Sequence, residues 1–93
     1  MTAESVIRAV AADYNVEPRS LFEPKIYGRA VKARNLAMFF MRFYIGMSNV
    51  DIAVFFHRAT SCATTATNRI MSQIGTESDV AVRFRRIMKS LEN

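Results

Sequence analysis

Between Leu36 and Phe56 nearly every residue is apolar, and a chain with such a stretch must either bury it or place it in a membrane. At about 20 residues an apolar run is long enough to span a bilayer. This one carries Arg42 and Asp51, each costing about 2.5–3.5 kcal/mol at a bilayer centre. It is also broken by Gly46, Ser48 and Asn49. The stretch therefore reads as two helices of a water-soluble core, and the expectation is no membrane association.

The flanking segments have helical spacing as well. Val6, Ile7, Val10, Ala11 and Tyr14 recur every three or four residues, which makes one apolar face of a helix capped by Thr2. Pro18 suits the first position of a short helix ending near Phe22, and Pro24 stops it. A loop over 23–28 leads to a long helix from about Arg29 to Tyr44, whose first half is expected to keep Lys32 and Arg34 in water and whose stop is Gly46. Ser48 caps a short helix through Val50, Ile52, Ala53, Phe55 and Phe56. After His57-Arg58-Ala59, Thr60 is expected to cap a helix reaching Ile74, and Thr76 to Asp79 opens a last helix through Val80, Phe84, Ile87 and Leu91. Three Gly and two Pro among 93 residues are too few for the tight turns of an all-β domain. The expected fold is all-α: one domain over residues 1–93, with five to six helices and a helix-turn-helix.

Thirteen Lys and Arg stand against eight Asp and Glu, a net charge of +5. Residues 24–75 hold Lys25, Arg29, Lys32, Arg34, Arg42, Arg58 and Arg69 against Asp51 alone. A cationic middle is the usual electrostatic footprint of a polyanion-binding protein. Cys62 is the only cysteine and His57 the only histidine, so neither a disulfide, a zinc site nor a Cys–His or Ser–His catalytic set is expected. There is no glycine-rich phosphate loop. No basic-then-apolar leader opens the chain. The expectation is a cytoplasmic protein that is not an enzyme and has no metal or cofactor.

Residues 49–74 carry the functional signal, because two helices joined by three residues make a helix-turn-helix whose second helix enters the major groove. At about 100° per residue, Ala63, Ala66, Ile70 and Ile74 fall on one side of that helix. Ser61, Thr64, Thr65, Asn68 and Ser72 fall on the other, with no acid among them. A helix that merely faces water favours Glu, Lys and Gln over Ser, Thr and Asn. A stripe of short hydrogen-bonding side chains points to close contact with base edges and phosphates.

These residues resemble the C-terminal DNA-binding domain (domain IV) of the bacterial replication initiator DnaA. The similarity runs from about Val6 to Leu91 and is strongest at Ala33-Arg34-Asn35-Leu36-Ala37-Met38, where that family has Ala/Pro-Arg-Gln-Ile/Met-Ala-Met. The Val10 to Tyr14 spacing, the Leu21-Phe22 pair, and Ile52 with Phe56 fit as well. The resemblance implies the fold, a DNA-facing surface, and a DNA-contacting role for Arg34. After Phe56 the family's signature Gly-Gly-Arg-Asp-His-Thr-Thr-Val is replaced here by His57-Arg58-Ala59-Thr60-Ser61-Cys62-Ala63, one residue shorter. Arg58 falls on the signature arginine, Ala59 on the aspartate and Thr60 on the histidine. Ile26 falls on the family's loop arginine, with Lys25 beside it.

The expected function is therefore binding of double-stranded DNA by a nucleoid-associated regulator of replication initiation or transcription, with altered sequence preference. Thr60, Ser61, Thr64, Thr65 and Asn68 are the expected base-facing residues. Lys25, Arg29, Lys32, Arg34, Arg58 and Arg69 are the expected phosphate contacts. An alternative is a protein-interaction module that kept the fold, favoured if Met38, Phe39 and Met41 lie on the surface and offer adaptable contacts to a protein partner.

Overall fold

The computed structural model describes residues 1–92, all of whose regular structure is helical. Five α-helices follow in order: α1 (Ala3–Tyr14), α2 (Arg29–Phe40), α3 (Asn49–Phe56), α4 (Thr60–Ile74) and α5 (Asp79–Glu92). A 3-10 turn at Pro18–Phe22 joins α1 to the loop before α2, and α2 continues into a π-helical turn at Met41–Ile45.

Local chemistry sets most of the boundaries. Thr2 and Ser5 cap one another at the start of α1, the Thr2 hydroxyl accepting the Ser5 N–H at 3.1 Å. Asn15 ends α1 in the left-handed region. Ser78, between α4 and α5, accepts the Ala81 N–H at 3.2 Å and donates to the Gln73 carbonyl at 3.1 Å, so one hydroxyl stops one helix and starts the next.

α2 is the centre of the molecule. Its Leu36, Ala37, Met38, Phe39 and Phe40, and Met41 directly after it, are all buried, so there is no solvent side along that half. α1 packs on it with Val6, Ile7, Val10, Ala11 and Tyr14 and α4 with Ala63, Ala66 and Ile70, while α3 adds Ile52, Ala53 and Phe56 to the same core against α4 and the turn after α2. Burial of Met38, Phe39 and Met41 takes away the surface contacts that would favour the protein-interaction alternative. The core needs them.

The π-helical turn departs from the continuous helix expected to Tyr44. Gly46, at φ 90°, lets its own N–H and that of Met47 both reach the Met41 carbonyl at 3.0 Å. The widened turn carries Tyr44 over Phe40 and Phe84, with ring centroids 5.7 and 5.9 Å away. Phe84 stacks on Phe40 at 5.2 Å, which fastens α5 to the end of α2.

α5 is held to α1 by charge as well. Asp13, with its side chain only 8% exposed, accepts from Arg83 at 2.9 Å and from Arg86, and the Arg83 guanidinium lies over the Tyr14 ring at 4.1 Å. Burial raises the Asp13 carboxyl, but hydrogen bonds and charge from Arg86 and Arg83 outweigh it and hold the group below the usual carboxylate range. A depressed native pKa stabilises the fold above the unfolded value of about 4 and loses that contribution as pH falls through the native value. Because Arg86 reaches water, solvent screening trims the effect. Asp13→Asn is expected to cost about 1–2 kcal/mol at neutral pH. The difference from the parent should shrink as pH falls below about 4 and on through the lower native value, where the Asp13 carboxyl becomes protonated. Urea unfolding at neutral and acid pH measures both.

Candidate nucleic-acid interface

α3 and α4 are set against each other by backbone caps and one side-chain bridge. The Ser48 hydroxyl accepts the Asp51 N–H at 3.1 Å to begin α3. His57 ends it at φ 57°, ψ 45°, donating its N–H to the Ala53 and Val54 carbonyls. The Arg58 N–H donates to the Ala53 carbonyl at 2.8 Å, turning the chain into α4. Asn49 Nδ2 then donates to Thr64 Oγ1 at 3.3 Å, while that hydroxyl donates to the Thr60 carbonyl at 3.2 Å. The pair forms a helix-turn-helix with three connecting residues.

The two faces of α4 separate as its spacing predicts, with two exceptions. Thr60, Ser61, Thr65 and Asn68 are exposed, and Ala63, Ala66 and Ile70 are buried. Thr64, expected on the outer face, is half-buried and engaged with Asn49. Thr67 is buried, its hydroxyl donating to the Ala63 carbonyl at 2.9 Å, which lets a polar residue sit against the core. The cap also differs from expectation: Ala59, not Thr60, occupies the N-cap and offers no side-chain acceptor. Thr60 is already helical, so its side chain points along the first turn. Ala59→Asp should supply the missing acceptor and stabilise the protein by about 1 kcal/mol, read as a higher midpoint in thermal melting.

Around this helix the cations take unequal positions. Lys25, Arg29, Lys32 and Arg69 are exposed. Lys25 lies 3.6 Å from Glu23, whereas Arg29, Lys32 and Arg69 have no ion pair among the described residues. Arg34 corrects the expectation of a solvated start to α2, for it is only 4% exposed. Its guanidinium donates to the Glu23 and Lys25 carbonyls at 3.3–3.4 Å. Arg58, half-buried, donates to the same two carbonyls at 2.7 and 3.1 Å. Two guanidinium groups thus brace the loop over 23–28 from beneath. Burial and the neighbouring Arg58 charge lower the Arg34 pKa, with Cys62 acting the other way.

Replacing Arg34 by Met removes the brace and a buried charge together. Global stability is expected to change by no more than about 1 kcal/mol, since apolar replacement of a buried charge is often nearly neutral. The loop itself should loosen, and trypsin should cut after Lys25 several-fold faster, as expected where local opening controls cleavage. Timed digestion of parent and variant gives the comparison.

The exposed face of α4 opens onto a cleft of about 330 Å³ lined by Ile26, Val31, Arg34, Asn35, Arg58, Ser61, Cys62, Thr65, Ala66 and Arg69. It contains three guanidinium groups and no carboxylate. A second cleft, about 320 Å³, lies on the other side of Arg69 and holds Lys32, Asn35, Gln73 and Asp79. Asn35 borders both clefts. It lies outside the expected interface residues, although its position one turn after Lys32 puts it on the same face of α2. Among the described residues, no three His, Cys, Asp or Glu are gathered to hold a metal, and no helix is long and apolar enough to cross a membrane.

A helix-turn-helix with an acid-free polar face and flanking cations defines a DNA-binding module of the all-α class. The model for the bacterial dnaA protein helix-turn-helix matches residues 3–70, and the chain belongs to that family. The family binds DNA, which is the general activity that membership carries. The match ends at Ile70 within α4, so α5 with its Phe84 lies outside the matched span, while Asp13, to which α5 is held, lies inside it. No curated protein matches the chain.

Proposed function

We propose that the chain is a regulator of replication initiation or transcription that docks α4 in the major groove of duplex DNA and reads a sequence other than the initiator's box. The observation that carries this reading is the exposed face of α4. Ser61, Thr65 and Asn68, with Thr60 at its start, lie on a helix that has no acid from Thr60 to Ile74. Short hydroxyl and amide side chains allow a close approach to base edges, and Asn can pair with adenine. Ala59 has no acceptor or donor to offer where the family has an aspartate, so the sequence preference differs.

Arg58 and Arg69 flank the face, while Lys25, Arg29 and Lys32 reach phosphates from the loop and from α2. Arg34 works behind the surface, setting the height of the loop. Thr64 contributes by holding α3 and α4 in register. The reading covers residues 1–93 as one domain, requires no cofactor, and places the protein with the nucleoid in the cytoplasm.

Selection of bound fragments from a random duplex pool tests the reading, and an enriched motif distinct from the initiator's box is the expected result. Binding titrations over a range of salt should show log affinity falling linearly with log salt. Arg69→Ala should weaken binding to all sequences alike and reduce that slope by about one unit. Absence of both an enriched motif and salt-dependent binding would sink the proposal.

A further inference from the structure

Cys62, the chain's only cysteine, is free and half-buried in the first turn of α4. One side of it rests on the core, and it also lines the cleft of about 330 Å³ that holds Arg34, Arg58, Arg69, Ser61 and Thr65. That volume falls in the range of about 300–1,000 Å³ that small-molecule sites occupy. A thiol that only fills space is enclosed by apolar groups, whereas reactive thiols stand partly open among cations. Cys62 is close enough to the Arg34 guanidinium for charge on its sulfur to act on that arginine.

Three features of the cleft point to an anionic ligand. Arg34 is only 4% exposed, yet its Nε, in the wall of the cleft, has no hydrogen-bond acceptor among the described residues. A buried donor on a charged group is costly without an acceptor. Ala59 gives α4 no side-chain cap, so the N–H groups that open the helix beside Cys62 can receive an anion. The residues lining the cleft include three guanidinium groups and no carboxylate.

We propose that Cys62 is a modification site that forms a mixed disulfide with a low-molecular-weight thiol carrying carboxylates, and that the adduct fills the cleft and shuts out duplex DNA. The co-reactant is that thiol's own disulfide. Cys62 gives up its proton to water, and its sulfur attacks one sulfur of the small disulfide. The bond between the two small-molecule sulfurs breaks as the bond to Cys62 forms. The released half leaves as a thiolate and takes up a proton. Cys62 is thereby oxidised and the released half reduced, and excess free thiol reverses the exchange. Carboxylates of the adduct meet Arg58, Arg69 and the opening N–H groups of α4, beside Ser61 and Thr65. The loss of DNA binding rests on the duplex-binding reading above, but the modification itself does not.

The test treats the intact protein with glutathione disulfide, whose halves each carry net negative charge, and in parallel with neutral hydroxyethyl disulfide. Mass spectrometry should show one glutathione added to the parent and none to Cys62→Ser. The charged reagent should react roughly three- to tenfold faster relative to the neutral one on the folded protein than on the urea-unfolded chain, with the advantage shrinking as salt rises. Arg69→Ala should reduce that advantage. The adduct should bind duplex roughly tenfold more weakly or worse, recover on reduction with dithiothreitol, and keep a cooperative thermal melt. A folded chain that takes up neither reagent while the unfolded chain takes up both overturns the site, as does an adduct that no longer melts cooperatively. Equal preference in the folded and unfolded chains overturns recognition by the cleft. An adduct that binds duplex as the parent does overturns the switch. A parent that binds no duplex yet favours the charged reagent overturns the duplex reading and supports the modification site.

Discussion

The enclosure of α2 is the constraint on which the rest of the structure depends. A chain of 93 residues has little interior, since only about 60–65% of its unfolded surface can be buried at this size. Leu36 through Met41 are buried without interruption, so one helix consumes much of that interior and has to be wrapped on every side. α1, α3, α4 and α5 are the wrapping. Each contributes one apolar stripe and keeps its other face in water. The polar face of α4 thus turns outward because Ala63, Ala66 and Ile70 are required against α2.

The same packing explains why charge is distributed as it is. On the side where α5 closes over α1, Asp13 gathers Arg83 and Arg86, and their charges serve to hold two helices together. On the side of α4, Arg29, Lys32 and Arg69 make no ion pair with a carboxylate among the described residues. Arg34 and Arg58 stand between these cases. They donate to the Glu23 and Lys25 carbonyls of the loop and line the cleft beside Ser61 and Thr65. A buried guanidinium with neutral acceptors stays charged because its unperturbed pKa is so high. The brace therefore contributes field as well as geometry.

Several features were legible in the residues alone. The limits of α1, α3 and α5 follow from Thr2, Ser48 and the Ser78 region, because capping is a contact between residues three apart. The division of α4 into apolar and polar sides follows from its spacing. The likeness to the initiator's domain rests on particular residues, most of all Ala33 to Met38, and the family match over residues 3–70 bears it out. Where reading by period went astray, a distant partner was the reason. Thr64 turned inward toward Asn49, fifteen residues away. Thr67 could be buried because its hydroxyl bonds within its own helix. Arg34 was drawn under carbonyls nine and eleven residues before it.

Sequence by itself determined that this chain is helical, that its middle is cationic, and which side of α4 is free of acids, since each depends on composition or on neighbours within one or two turns. Only the tertiary structure decided which cations remain available and which are spent on the backbone. It also decided that Tyr44 reaches Phe84 through a widened turn, and that Ile26 and Tyr27 are held out on a braced loop. Those outcomes depend on which groups meet across long stretches of chain. A guanidinium is the same residue in either place, and its role is set by whether an unsatisfied carbonyl or open water lies within its reach.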